Sequence, residues 1–180
     1  GGLYLCWLEG QLLFLNRLEG RYVAPGWPAR GRQLGSVASS SDRPSIIEDG
    51  AHGVYVAWPV MVTFAVDPTR VFGLHIGPTN QAAGGWPSMI RALSPSHDVP
   101  TSDLWPRLAL APDGGIYVTY GLCSSDTSVA PSRFTLGRFT SSGVLSQGWT
   151  FDGVEMGSLD CTLIGSSAPR LMDLTPDGRG

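Results

Sequence analysis

The sequence predicts an all-β fold made of repeated four-stranded antiparallel sheets, and three observations predict it. Asp-Gly pairs at Asp49, Asp113 and Asp177 are spaced evenly, 64 residues apart. The first two are followed by β-branched and aromatic runs, Val54-Tyr55-Val56-Ala57-Trp58 and Ile116-Tyr117-Val118-Thr119-Tyr120. Such side chains pack well on a pleated surface. No window of about 12 residues shows helical periodicity with sensible caps. The 24 Gly and 14 Pro suit many turns between short strands.

Each Asp-Gly pair reads as a two-residue hairpin turn, because Gly adopts positive φ freely and Asp tolerates it. The turn residues are therefore Asp49, Gly50, Asp113, Gly114, Asp177 and Gly178. The arms before the turns open on Pro44, Pro106 and Pro169, and Pro suits the first residue of a strand.

Four strands, A to D, are expected per unit. The first unit, 1–43, has B at 3–7, C at 12–18 and D around 32–34, with no A. The second, 44–105, has A at 44–48, B at 54–58, C at 70–76 and D near 89–93. The third, 106–168, has A at 106–110, B at 116–120 and C at 133–139, with Gly148-Trp149 marking the approach to D. A last A strand at 169–174 ends at Asp177-Gly178, so 169–180 supplies an extra innermost strand. Together 1–180 forms one segment.

Tandem four-stranded units at this period read as propeller blades. The core Pro44-Ser45-Ile46, Asp49-Gly50, Gly53-Val54-Tyr55-Val56-Ala57-Trp58 recurs as Pro106-Arg107-Leu108, Asp113-Gly114, Gly115-Ile116-Tyr117-Val118-Thr119-Tyr120. A Gly-Trp follows later in every unit, ending on Trp27, Trp86 and Trp149. In these motifs the chain resembles the bacterial tandem-repeat β-propellers. The resemblance implies blades, and its motifs are structural. The sialidase box S-x-D-x-G-x-x-W and the calcium loop D-x-D-x-D-G are both missing from the sequence.

Three blades leave two raw faces. If each exposed roughly 500 Å² of apolar surface, about 12 kcal/mol of burial per face would be lost, comparable to a domain's net stability. A closed six-bladed homodimer, joined by exchange of the terminal A strands, removes both faces. An open filament and a piece of a longer chain are the alternatives.

Composition excludes several classes. A net charge of −3 gives no electrostatic reason to expect nucleic acid. All 12 basic residues are Arg, which fits a GC-rich genome better than a phosphate site. No apolar run approaches about 18 residues, so no membrane span is expected, and no signal peptide is visible. Cys6 reads as a small core residue, while Cys123 and Cys161 lie near loops and are able to pair. Their spacing matches no zinc or redox motif, and no cofactor or metal is expected.

Candidate ligand-binding residues are Arg107 and Arg170, at the start of innermost strands, and His97 in a crossing loop. No catalytic residue emerges. His52 and His97 lack a partner for a nucleophilic triad, and Glu9, Glu19, Glu48 and Glu155 are scattered rather than paired for glycoside hydrolysis. Trp27, Trp86 and Trp149 recur once per unit and read as packing between units. Arg17, His75 and Arg138 share a place in strand C that faces away from the core, in solvated or edge-pairing roles. The variable segments 59–69 and 121–132 and the D–A crossings place any ligand on that side or in a central channel. The expected function is a non-catalytic scaffold for binding or self-assembly, outside the cytoplasm. A glycan-binding or glycan-active propeller and an extracellular filament subunit are the alternatives.

Overall fold

The computed structural model describes residues 2–37, 43–61, 69–96, 101–124, 132–158 and 175. These residues form strands without helix. Unit 1 comprises β1 (Gly2–Glu9), β2 (Leu12–Glu19), the two-residue β3 (Tyr22–Val23) and β4 (Arg32–Ser36). β1 lies on one side of β2, and β3 and β4 lie on the other. Unit 2 is the antiparallel meander β5 (Ser45–Glu48), β6 (Val54–Met61), β7 (Thr69–Ile76) and β8 (Arg91–Ala92). Unit 3 is the meander β9 (Thr101–Leu110), β10 (Ile116–Ser124), β11 (Arg133–Phe139) and β12 (Val154–Ser158). A single parallel pairing, Thr69↔Ser102, joins units 2 and 3.

β6 shows how the units stack. Successive side chains of a strand point to opposite faces. Val54, Val56 and Trp58 enter a cluster with Leu13, Leu15 and Leu34 of unit 1. Tyr55 and Ala57 enter a second cluster with Leu108, Ile116 and Val118 of unit 3. Unit 2 is thus packed on both faces, which explains why β6 reads as a continuous apolar run rather than an alternating one. On β1, Tyr4, Cys6 and Leu8 pack toward unit 2. The intervening Leu3 and Leu5 point the other way and are 61% and 47% exposed.

Several elements differ from expectation. The A–B turns are three-residue loops, not two-residue turns. Ala111 and Gly115 close the unit 3 loop, and Asp49 and Gly53 close the unit 2 loop. Only Gly50, His52 and Gly114 take positive φ there, so Asp contributes acceptor oxygens rather than a left-handed backbone. The loops also offset the Asp-Gly pairs: Gly53 matches Gly115, so Asp49 stands where Ala111 stands. β9 begins at Thr101, five residues before Pro106. Trp105 and Pro106 together face Tyr120 in a bulge, so the proline's missing N–H falls where the ladder is already interrupted. β3 was not anticipated, and β8 is shorter than 89–93. The expected A strand at 169–174 lies outside the described residues, as do Asp177, Gly178 and Cys161. Cys123 sits at the end of β10, next to the loop that follows it, and it is disulfide-bonded.

Candidate binding groove at the β1 edge

The groove begins with a side-chain set that recurs in all three units. A tyrosine of strand B faces a basic residue of strand C across the ladder: Tyr4↔Arg17, Tyr55↔His75 and Tyr117↔Arg138. Each pair is in ring contact. Tyr55 stacks on His75 at 3.9 Å, and the Arg17 and Arg138 guanidinium groups lie 6.0 and 5.3 Å from their tyrosine rings.

In units 2 and 3 the basic residue also holds the aspartate of its own A–B loop. His75 Nε2 lies 2.7 Å from Asp49 Oδ2, and Arg138 Nη2 lies 3.1 Å from Asp113 Oδ2. Asp49 Oδ1 accepts the Ala51 and Gly53 N–H groups, both at 2.7 Å. Burial pushes the Asp49 carboxyl up, but the hydrogen bonds from His75, Ala51 and Gly53 outweigh it, leaving the group below its ordinary value. A Cβ at Gly53 would collide with the Asp49 carboxylate, and one at Gly115 with the Phe139 carbonyl. Glycine is therefore required at both positions by space, not by φ.

The tyrosines also link units. Tyr4 donates to the His52 carbonyl at 2.7 Å, and Tyr55 donates to the Gly114 carbonyl at 2.7 Å. His52 and Gly114 occupy the same place in successive A–B loops. The strands B of units 1 and 2 thus each latch onto the loop of the next unit. Burial raises both hydroxyl groups, Tyr55 to about 12, so both stay protonated donors.

Unit 1 carries the tyrosine and the basic residue without an A–B loop among the described residues. Arg17 instead pairs with Glu19 at 2.7 Å. Among the described residues β1 pairs with β2 alone, and a groove of about 230 Å³ lies between unit 1 and unit 2. It is lined by Gly2, Leu3 and Tyr4 of β1, Arg17 of β2, Ile46, Ile47 and Glu48 of β5, and His52 and Val54. In unit 2 the corresponding place, beside β6, is filled by β5, which is itself tied to β9 by the Leu108 N–H donating to Ser45 Oγ at 3.1 Å.

The residues singled out from sequence are dispersed. Arg107 donates to the neighbouring Pro106 carbonyl, whereas His97 and Arg170 lie outside the described residues. Trp27 and Trp86 are buried, one in each cluster. Trp27 Nε1 donates to Pro78 of unit 2 at 2.8 Å, and Trp86 lies against Gly143 of unit 3. Trp149 is only half-buried and meets Tyr117 of its own unit. His75 is not solvated: it is 5% exposed, because both faces of unit 2 are covered. The groove lies by the A–B loops, at the other end of the strands from the B–C side expected to bind. Much of the variable sequence there (62–68, 125–131) is outside the described residues. Sequence reasoning missed the groove because it depends on which edge of β1 is open. Among the described residues no three His, Cys, Asp or Glu side chains are grouped to hold a metal, and no helix is long and apolar enough to cross a membrane.

In comparisons with protein-family models, curated proteins and solved structures, nothing matches the chain.

Proposed function

We propose that the chain is a non-catalytic β-propeller scaffold that binds or self-assembles through its open sheet edge, completing a ring by strand exchange. The observation that carries this reading is the likeness of the two interfaces between units. Each buries alternate residues of strand B, seats one Gly-Trp tryptophan and is latched by one tyrosine. Units that stack by one rule tend to continue until a face is capped or the ring closes. The outward residues Leu3 and Leu5 of unit 1, and Val154 and Met156 of unit 3, remain exposed. Exposed apolar faces of this kind mark association surfaces.

Extension of a sheet by an added strand is a general recognition mode in which backbone hydrogen bonds supply affinity and side-chain pockets supply selectivity. The open edge of β1 and its groove suit that mode. The disulfide at Cys123 supports placement in an oxidising compartment outside the cytoplasm. The glycan reading gains nothing from Trp27 and Trp86, whose rings are buried and offer no stacking face. Sedimentation equilibrium tests the proposal. A particle of two 19.1 kDa chains supports it, and a single chain at all concentrations contradicts it.

A further inference from the structure

We propose that Asp152-Gly153 is a modification site, where the chain isomerises through a succinimide to isoaspartate because the Asp152 carboxylate is unheld, and that the isomer frees the edge strand β12. This Asp-Gly pair stands outside the evenly spaced series of the other three. The site does not depend on the scaffold reading.

The chemistry needs only the chain and water. The Gly153 nitrogen attacks Asp152 Cγ and forms a C–N bond. One carboxyl oxygen leaves as water, carrying away the N–H proton and the proton of the acid. Water then opens the five-membered ring. Cleavage at Cγ restores aspartate, and cleavage at the main-chain carbonyl gives isoaspartate. Glycine at the second position favours closure, because no side chain hinders its nitrogen.

Three such pairs lie among the described residues, and the structure ranks them. The nucleophile does not separate the two in unit 3. Gly114 N–H donates to the Ala111 carbonyl at 2.9 Å, and Gly153 N–H donates to the Thr150 carbonyl at 3.0 Å. The carboxylate does separate them. Asp113 Oδ1 accepts the Gly115 N–H at 3.1 Å, and its Oδ2 meets Arg138 at 3.1 Å. Asp49 is buried and held more firmly, by Ala51, Gly53 and His75. Each must give up these bonds before its Cγ turns toward the following nitrogen. Asp152 is exposed, and among the described residues its carboxylate has no hydrogen-bond or ion-pair partner. Of the three, only Asp152 starts free to turn.

The surroundings turn a small covalent change into a structural one. Isoaspartate inserts one methylene into the main chain just before Gly153. That glycine has no room to shift inward: a Cβ on it would lie 2.5 Å from Thr135 Cγ2 and 2.6 Å from the Leu136 carbonyl. The next residue opens β12, where Val154 pairs with Leu136. Among the described residues β12 pairs with β11 alone, and all five of its residues are exposed. Little packing therefore resists its release.

Ageing the full chain in heavy-oxygen water at neutral pH tests this, because each passage through the succinimide leaves one heavy oxygen on the aspartate. Asp49, Asp113 and Asp152 fall in separate tryptic peptides, and electron-transfer fragmentation places the label and tells isoaspartate from aspartate. Uptake at Asp152 should exceed uptake at Asp113 by about tenfold or more, the effect of hydrogen bonds to a charged group, with Asp49 slowest. Uptake at Asp113 or Asp49 that equals or exceeds that at Asp152 overturns the proposal. R138Q removes the ion pair of Asp113 and should raise uptake there toward that of Asp152; unchanged uptake overturns the stated reason for the ranking. If R138Q proves unfolded by circular dichroism, the wild-type ranking decides alone. D152E blocks the five-membered ring. Hydrogen exchange over Val154–Ser158 should be faster in the aged wild type than in aged D152E, and equal rates in an isomerised sample overturn the release of β12.

Discussion

At the scale of the residue, Asp49 governs the second loop. Its carboxylate accepts two backbone N–H groups and meets His75 in a site where both side chains are 7% exposed. Asp49→Asn should cost about 2 kcal/mol at neutral pH, the range for a buried hydrogen bond to a charged group, measured by urea unfolding. The pH dependence has a definite sign. Asp49 is held below its ordinary 3.8 in the folded state, so the unfolded state binds the proton more readily. Its contribution is complete above the unfolded value and is lost as pH falls through the depressed folded value. Stability of the wild type should therefore fall more steeply below about pH 4 than that of Asp49→Asn, as followed by acid titration. Tyr55→Phe removes the latch to Gly114 and should cost about 1 kcal/mol. Cys6 should react slowly with alkylating reagents at pH 8, because burial pushes its thiol to about 12.

At the scale of the element, the tryptophans divide by what covers them. Trp86 fills the cluster between units 2 and 3, so Trp86→Ala should cost about 3–5 kcal/mol. Trp149 occupies the matching Gly-Trp position but is half-buried, so Trp149→Ala should cost less in thermal unfolding of dilute protein. Equal losses would refute the claim that position in the stack sets the energy. Strand identity was readable from sequence wherever apolar and β-branched residues clustered: 54–58, 116–120 and 133–139 fall within β6, β10 and β11. The ends were not, because pairing partners rather than propensity extend β9 back to Thr101 and β10 on to Ser124. The turn motif located the loops but misjudged their length. Asp-Gly signals a turn in either geometry, and a side chain reaching across to strand C selected the longer one. That contact, from Asp49 to His75, is invisible to local pattern reading.

At the scale of the whole molecule, the described units follow one packing rule at both of their interfaces. Repetition was legible in the sequence as the Asp-Gly period and the Gly-Trp pairs, and it led directly to four-stranded sheets. The groove was not legible, since none of Gly2, Arg17 and Ile46 is unusual alone. Only their convergence beside an open strand edge gives them meaning. An open edge exposes unpaired backbone donors and acceptors, and proteins normally cover or blunt such edges. Hydrogen exchange along β1, Gly2–Glu9, reads that edge directly. Those amides that point away from β2 should become protected as protein concentration rises. Rapid exchange of the same amides in concentrated wild-type protein would mean that no strand is added there.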